Sequence, residues 1–140
     1  MAFISISITK NHPLILGKGG FGRQLADWLS AEGWGEAEFL DDSAPGCVGG
    51  LRDYADPKLL KPGRPAFVAL GDNALRVELL QKLAAAGYDT PVFISDMAAV
   101  SPSAVLEPGC VILPQAYVGA DAHLGVGCII NGGAIVDHDA

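Results

Sequence analysis

Three histidines and one glycine-rich run hold the groups in this sequence that can do chemistry. An imidazole titrates near neutral pH, so it can take the proton from an amine or hydroxyl as that group attacks an electrophile. His12 precedes the first apolar run and reads as a surface group. His123 falls at an outward position of a repeat and reads as structural or solvated. His138 has a carboxylate on each side, in Val136-Asp137-His138-Asp139. Taken on its residues alone, a histidine at such an exposed corner is first a solvated group.

The second chemical feature is Gly17-Lys18-Gly19-Gly20-Phe21-Gly22, whose spacing is Gly17-x-Gly19-x-x-Gly22. Placed between a strand and a helix, such a loop turns backbone N–H groups toward a phosphate at the positive helix end, and side chains there would obstruct the approach. Lys18 can add a point charge or stand solvated. Asp41-Asp42 follows the second apolar run, where a dinucleotide-binding fold keeps its ribose-binding acid, so NAD is one ligand to weigh. Gly71-Asp72-Asn73 ends a third run, and Asp72-Asn73 also suits helix N-capping.

These groups need elements to hold them. Pro13–Leu16, Glu38–Leu40, Ala66–Leu70 and Pro91–Ile94 read as four short strands. A helix with Leu25, Trp28 and Leu29 on one face follows the glycine loop, and a helix over 76–86 turns Val77, Leu80 and Leu83 inward, with Gly87 as its stop. Strands alternating with helices predict an α/β, Rossmann-like domain with a small parallel sheet over residues 1–96. Alternating Ile4, Ile6 and Ile8 suggest an added edge strand.

From Ala98 onward the helical pattern stops. An aliphatic residue recurs every six positions at Val100, Leu106, Ile112, Val118, Leu124, Ile130 and Val136, and a small residue lies two before each, from Ala98 to Ala134. The kinds of residue also repeat every eighteen, as in Val100, Val118 and Val136. Three hexads per coil put like side chains over one another in a triangular parallel β-helix across residues 97–140. The aliphatics fill the interior and the small residues fit the tight corners. Cys110 and Cys128 become stacked neighbours, with a disulfide between them left open.

LILGKGGFG, FLDD, ALGDNALR, SPSAVLEPG and NGGAIVDHDA together resemble the nucleotide-sugar and sialic acid acyltransferases of the left-handed β-helix superfamily, which include UDP-4-amino-sugar N-acetyltransferases. The resemblance spans nearly the whole chain and supplies the left hand of the coils. It implies acetyl-CoA-dependent acetylation of a UDP-linked amino sugar, or of sialic acid, in bacterial surface-glycan synthesis. It implies His138 as general base, with Asp139 orienting its ring and Asp137 as the fallback acid. Gly17, Lys18, Gly19, Gly20, Phe21, Gly22, Asp41, Asp42, Gly71, Asp72, Asn73 and Arg76 become substrate contacts, with the acidic pair near the uridine. Relatives commonly have histidine where this chain has Phe21, which puts the sugar's identity in question. The resemblance also implies a homotrimer, with most of the acyl-CoA site in later coils; stopping at Ala140 therefore suggests a truncated solenoid. A nucleotide- or NAD-binding module whose coils only oligomerise it is the competing reading.

Composition narrows the remaining classes. Half the residues are hydrophobic, only 18% are charged and mean hydropathy is +0.33, which favours a packed core over disorder. Net charge is −7, so no basic field invites nucleic acid, and an anionic substrate must be held by local dipoles. No apolar run reaches the roughly 20 residues of a membrane helix, and the N-terminus lacks the form of a signal peptide. Cys47, Cys110 and Cys128 have neither a secretory context nor CxxC spacing, so reduced cytoplasmic thiols are expected, with no metal and no acyl-enzyme cysteine.

Overall fold

The structure, a computed structural model, describes residues 12–140; the strand expected over Ile4–Ile8 lies outside the described residues. Two compact units meet between Thr90 and Pro91.

In the first unit three short strands run parallel: β1 (Leu14–Leu16), β2 (Glu38–Leu40) and β3 (Ala66–Val68), in the order β2-β1-β3. Leu14 aligns with Glu38 on one side and Ala66 on the other. β1 and β3 are buried at every residue, as strands covered on both faces must be. Helix α1 (Gly20–Ala31) buries Leu25 and Leu29, while Trp28 is half-buried. Helix α2 (Asn73–Ala86) buries Arg76, Leu79, Leu80 and Leu83. It starts earlier than its apolar spacing suggests because the Asp72 carboxylate accepts from Leu75 N at 2.9 Å. Leu79 takes the core position expected of Val77, which is half-buried. Gly87 stops the helix in the left-handed region, with φ of 112°.

At the opposite end of the sheet from the glycine loop, a buried arginine ties three segments together. Arg64 donates to His12 O at 2.8 Å, Leu59 O at 2.9 Å and Glu38 Oε1 at 2.6 Å.

The second unit corrects the expected fourth strand. β4 (Phe93–Ile94) forms, but it pairs with β7 (Val111–Ile112) and not with the first unit's sheet. Ile94, Ile112 and Ile130 are eighteen apart in sequence, so β4 opens the solenoid one hexad before Ala98. Val92 stands in its small-residue position, which hid it from the six-residue pattern. The other two-residue strands are β5 (Ala99–Val100), β6 (Val105–Leu106), β8 (Tyr117–Val118), β9 (His123–Leu124), β10 (Ile129–Ile130) and β11 (Ile135–Val136). They stack in parallel as β4-β7-β10, β5-β8-β11 and β6-β9, every partner eighteen residues away. Cys110, Ile112, Ala116, Val118, Ala122 and Leu124 form the buried core, so the small residues point inward beside the aliphatics. Cys110 and Cys128 are free thiols, and burial pushes the Cys110 thiol up from its ordinary value.

A second six-residue rhythm sets the corners. Gly109, Gln115, Asp121, Gly127, Gly133 and Asp139 all have positive φ, between 59° and 78°. In most of these corners the following small residue donates back across a four-residue turn, as Ala116 N does to Leu113 O. A positive φ at the third turn residue is the type II form, open to glycine and more grudgingly to Asp or Asn.

Candidate functional site

The expected site residues fall into two groups, one in each unit. In the first unit, the sheet order reverses at β1, and ligands of open α/β sheets bind beyond the strand C-termini at such a reversal. The glycine loop lies there. Gly17 N donates to Leu40 O at 2.8 Å and Ala69 N to Leu16 O at 2.8 Å, so both neighbouring strands anchor it. A Cβ on Gly17 (φ 102°) would sit 2.7 Å from Ala69 O, and one on Gly22 would run into Gly17 O. These two glycines serve packing. Gly19 faces open space, a Cβ on Gly20 would meet only the Arg23 guanidinium at 4.0 Å, and Phe21 is half-buried beside them. Gly19 caps α1 without any side-chain hydrogen bond, and no acid stands in the first turn. The first N–H groups of α1 therefore have no intrahelical partner and sit at the positive end of the dipole.

Lys18 and Asp41 are already engaged by the chain itself. Asp41 Oδ2 accepts Lys18 N at 2.7 Å, and its Oδ1 accepts Ser43 N and Ala44 N. These backbone donors, Lys18 first, hold the carboxyl at about 2, below its ordinary 3.8. The Lys18 ammonium reaches Pro45 O at 2.8 Å and lies 5.2 Å from the Phe39 ring centroid, so it clips the 42–47 loop. Asp42 Oδ1 accepts Leu51 N at 2.8 Å. Beyond β3, Asp72 is the helix cap, and Arg76 turns back to Leu70 O and Asn73 Oδ1, both at 2.8 Å. Gly71 is exposed, with open space where a Cβ would stand. The structure thus brings the glycine loop, Asp41–Asp42 and 71–76 to one end of the sheet. It also gives Asp41, Asp42, Asp72 and Arg76 partners within the chain. Arg64 and Glu38 were not anticipated, since nothing in their spacing marks a buried arginine paired with a surface glutamate.

In the second unit, His138 occupies the second position of the corner Asp137–Ala140. Its Nδ1 lies 2.8 Å from Asp139 Oδ2, and its backbone N donates to Asp137 Oδ1 at 2.8 Å. A carboxylate only accepts, so the Nδ1 proton points at Asp139 and the Nε2 lone pair is left available. Asp137 Oδ1 is 4.0 Å from Nε2, too far for a hydrogen bond. The corner is seated on the coil below: Gly119 N donates to Val136 O at 2.8 Å, and Asp139 N to Ala120 O at 2.9 Å. The imidazole is about two-thirds exposed. Such a ring can accept a proton at Nε2 while a fixed carboxylate steadies the resulting charge.

The other two histidines have different surroundings. His123 Nε2 meets Glu107 Oε2 at 2.7 Å in an exposed pair, and His12 contributes its carbonyl to Arg64. Among the described residues no group of three or more His, Cys, Asp or Glu is assembled to hold a metal, and no helix is long and apolar enough to cross a membrane.

Comparison with known proteins adds to this geometry. A family model described as the PglD N-terminal domain matches residues 14–83. The acetyltransferase domain of PglB from Neisseria gonorrhoeae FA1090 is similar, with 35% identity and a TM-score of 0.83 over 93% of this chain and 66% of that one. The same domain in complex with acetyl coenzyme A gives 35% and 0.81, over 93% and 65%. A histidine-to-alanine mutant of GDP-perosamine N-acetyl transferase from Caulobacter crescentus, in complex with CoA and GDP-perosamine, gives 31% and 0.79, over 91% and 63%. The chain spans about 63–66% of the length of these structures. No curated protein matches it significantly.

Proposed function

Because the chain belongs to the PglD N-terminal domain family, we propose that it acts in acetyl transfer from acetyl-CoA to the amino group of a nucleotide-linked amino sugar. The observation that carries this reading is the His138–Asp139 pair, 2.8 Å apart at Nδ1, with Nε2 directed away from its acid. As the amine nitrogen bonds to the thioester carbonyl carbon, His138 Nε2 takes the proton that the nitrogen gives up. The C–S bond breaks, the departing CoA sulfur takes a proton back, and the products are the amide and the free thiol. Asp139 keeps the ring in one tautomer and steadies the imidazolium.

The open N-terminus of α1 supports diphosphate binding at Gly19, Gly20, Phe21 and Gly22. Gly17 shapes that loop, and Lys18, Asp41 and Asp42 build its wall. Gly71, Asp72, Asn73 and Arg76 form the opposite rim, where the sugar lies. The amino-sugar nucleotide is UDP- or GDP-linked, the latter suggested by GDP-perosamine in a similar structure. N-acetylation is favoured over O-acetylation of sialic acid on the same ground. The coils are read as left-handed, in a cytoplasmic homotrimer; free thiols at Cys47, Cys110 and Cys128 suit a reducing compartment.

Calorimetry of the protein with UDP, GDP, NAD and acetyl-CoA, paired with a CoA-thiol release assay on a nucleotide amino sugar, tests the reading. Nucleotide-dependent thiol release is expected, with turnover lowered about 10²- to 10⁴-fold by His138→Ala. Binding of NAD alone would overturn it, as would a His138→Ala protein that turns over normally.

A further inference from the structure

The corner that carries His138 rests on Gly119, and the contact is unusually close. A Cβ built on Gly119 would stand 2.6 Å from His138 N, 2.9 Å from Asp137 C and 3.0 Å from His138 Cα. All three atoms are backbone, so no side-chain rotation relieves the clash. Gly119 is not among the residues with positive φ; the space above it, and not its own conformation, excludes a side chain.

Coil stacking as such does not demand a glycine there. Leu113 holds the same place in the corner Leu113–Ala116, and that corner also has a positive φ at its third residue, Gln115. Asn131, eighteen residues on, begins the stacked corner above, whose third residue Gly133 is likewise left-handed. Leu113 nevertheless carries a full side chain that is almost wholly buried. Gly125 is bare at the same place in its own corner, but a Cβ there would meet nothing nearer than Glu107 Oε2 at 3.9 Å, so the close backbone contact is specific to the corner of Asp137–His138.

We infer that Gly119 is a positioning residue for His138: by carrying no Cβ it lets the Asp137–Ala140 corner seat low enough to fix where Nε2 stands. This rests on the reading of His138 as the base. Relieving the 2.6 Å contact to an ordinary 3.4 Å requires a shift of about 0.8 Å. Misplacements near 1 Å cost on the order of 10²-fold in rate.

The test is a double-mutant cycle on the full-length protein, with nucleotide-sugar and acetyl-CoA kinetics and a melting curve for each variant. Gly119→Ala is expected to lower kcat about 10- to 100-fold and to leave both KM values within about threefold. In the His138→Ala background the same change is expected to do nothing further to the residual rate, because the group it misplaces is gone. Ala120→Gly adds no atom and loosens the same supporting turn, whose carbonyl accepts Asp139 N. A fall in kcat of about two- to fivefold, again absent without His138, is expected there, and it decides the matter if Gly119→Ala does not fold. Equal losses with and without His138 would reduce Gly119 to a packing residue and overturn the inference. So would unchanged kcat in either Gly119→Ala or Ala120→Gly. If His138→Ala itself turns over normally, the assignment of the base has failed instead.

Discussion

Replacing Asp139 by Asn isolates the carboxylate's charge from its geometry. Asparagine tolerates the left-handed φ of 59° at this corner, and its Oδ1 still accepts from His138 Nδ1. The ring keeps its tautomer and loses only the negative charge beside a developing imidazolium. At 2.8 Å, with both side chains about 70% exposed, the medium is close to water. Coulomb's law then gives about 1.5 kcal/mol for fully developed charges, or roughly a factor of ten. Only part of the positive charge exists in the transition state, so kcat is expected to fall about three- to tenfold. Asp137→Asn is the companion: its Oδ1 is 4.0 Å from Nε2 and holds only the His138 backbone N. Its kcat is expected within about twofold of the parent. The assay is thiol release at saturating co-substrates, with thermal melts to show the coils intact. A 10³-fold loss in Asp139→Asn would mean that the acid does more than steady a charge. A larger loss in Asp137→Asn than in Asp139→Asn would transfer the orienting role to Asp137.

Two further outcomes concern the first unit. The Asp41 carboxyl is held at about 2 against an ordinary 3.8. A depressed folded value means its contribution is complete above about pH 4 and is lost as pH falls toward 2. An Asp41→Asn variant should therefore melt below the parent at pH 6, with the gap closing between pH 4 and 2; a gap constant with pH would refute this. Arg64→Met leaves His12 O, Leu59 O and Glu38 Oε1 without their donor. Urea titration should show a loss of about 2–4 kcal/mol, nearer the lower figure because Glu38 is partly solvated; a loss under about 0.5 kcal/mol would contradict the ion-pair account.

The solenoid was readable from sequence because its register is local. A residue's partner lies eighteen positions away, so the same short pattern states secondary structure, pairing and core at once. The reading slipped at Phe93–Ile94, where a strand of two residues carries no length signature and Val92 takes a place filled elsewhere by alanine or cysteine. In the first unit the alternation of strands and helices was plain, and so was the glycine loop. What the residue types did not reveal was how polar groups were committed. Arg76 reads as a substrate contact, yet it is buried and already donates to Leu70 O and Asn73 Oδ1. Asp41 has the position of a ribose acid, yet its oxygens are taken by Lys18, Ser43 and Ala44. Such choices depend on where a loop returns in space, which no local spacing encodes. His138 stood out only through its motif, and Gly119 not at all, since its role depends on a residue one coil above.

The eighteen-residue register makes the height of His138 a quantised property of the chain. Removing one whole coil beneath it would lower the histidine by one strand spacing, about 4.8 Å, with its heading unchanged. Losing a single residue would instead rotate every later side chain out of its column, exchanging buried positions for exposed ones. Adding or removing a whole coil thus keeps every column in register, and a fraction of a coil breaks them all.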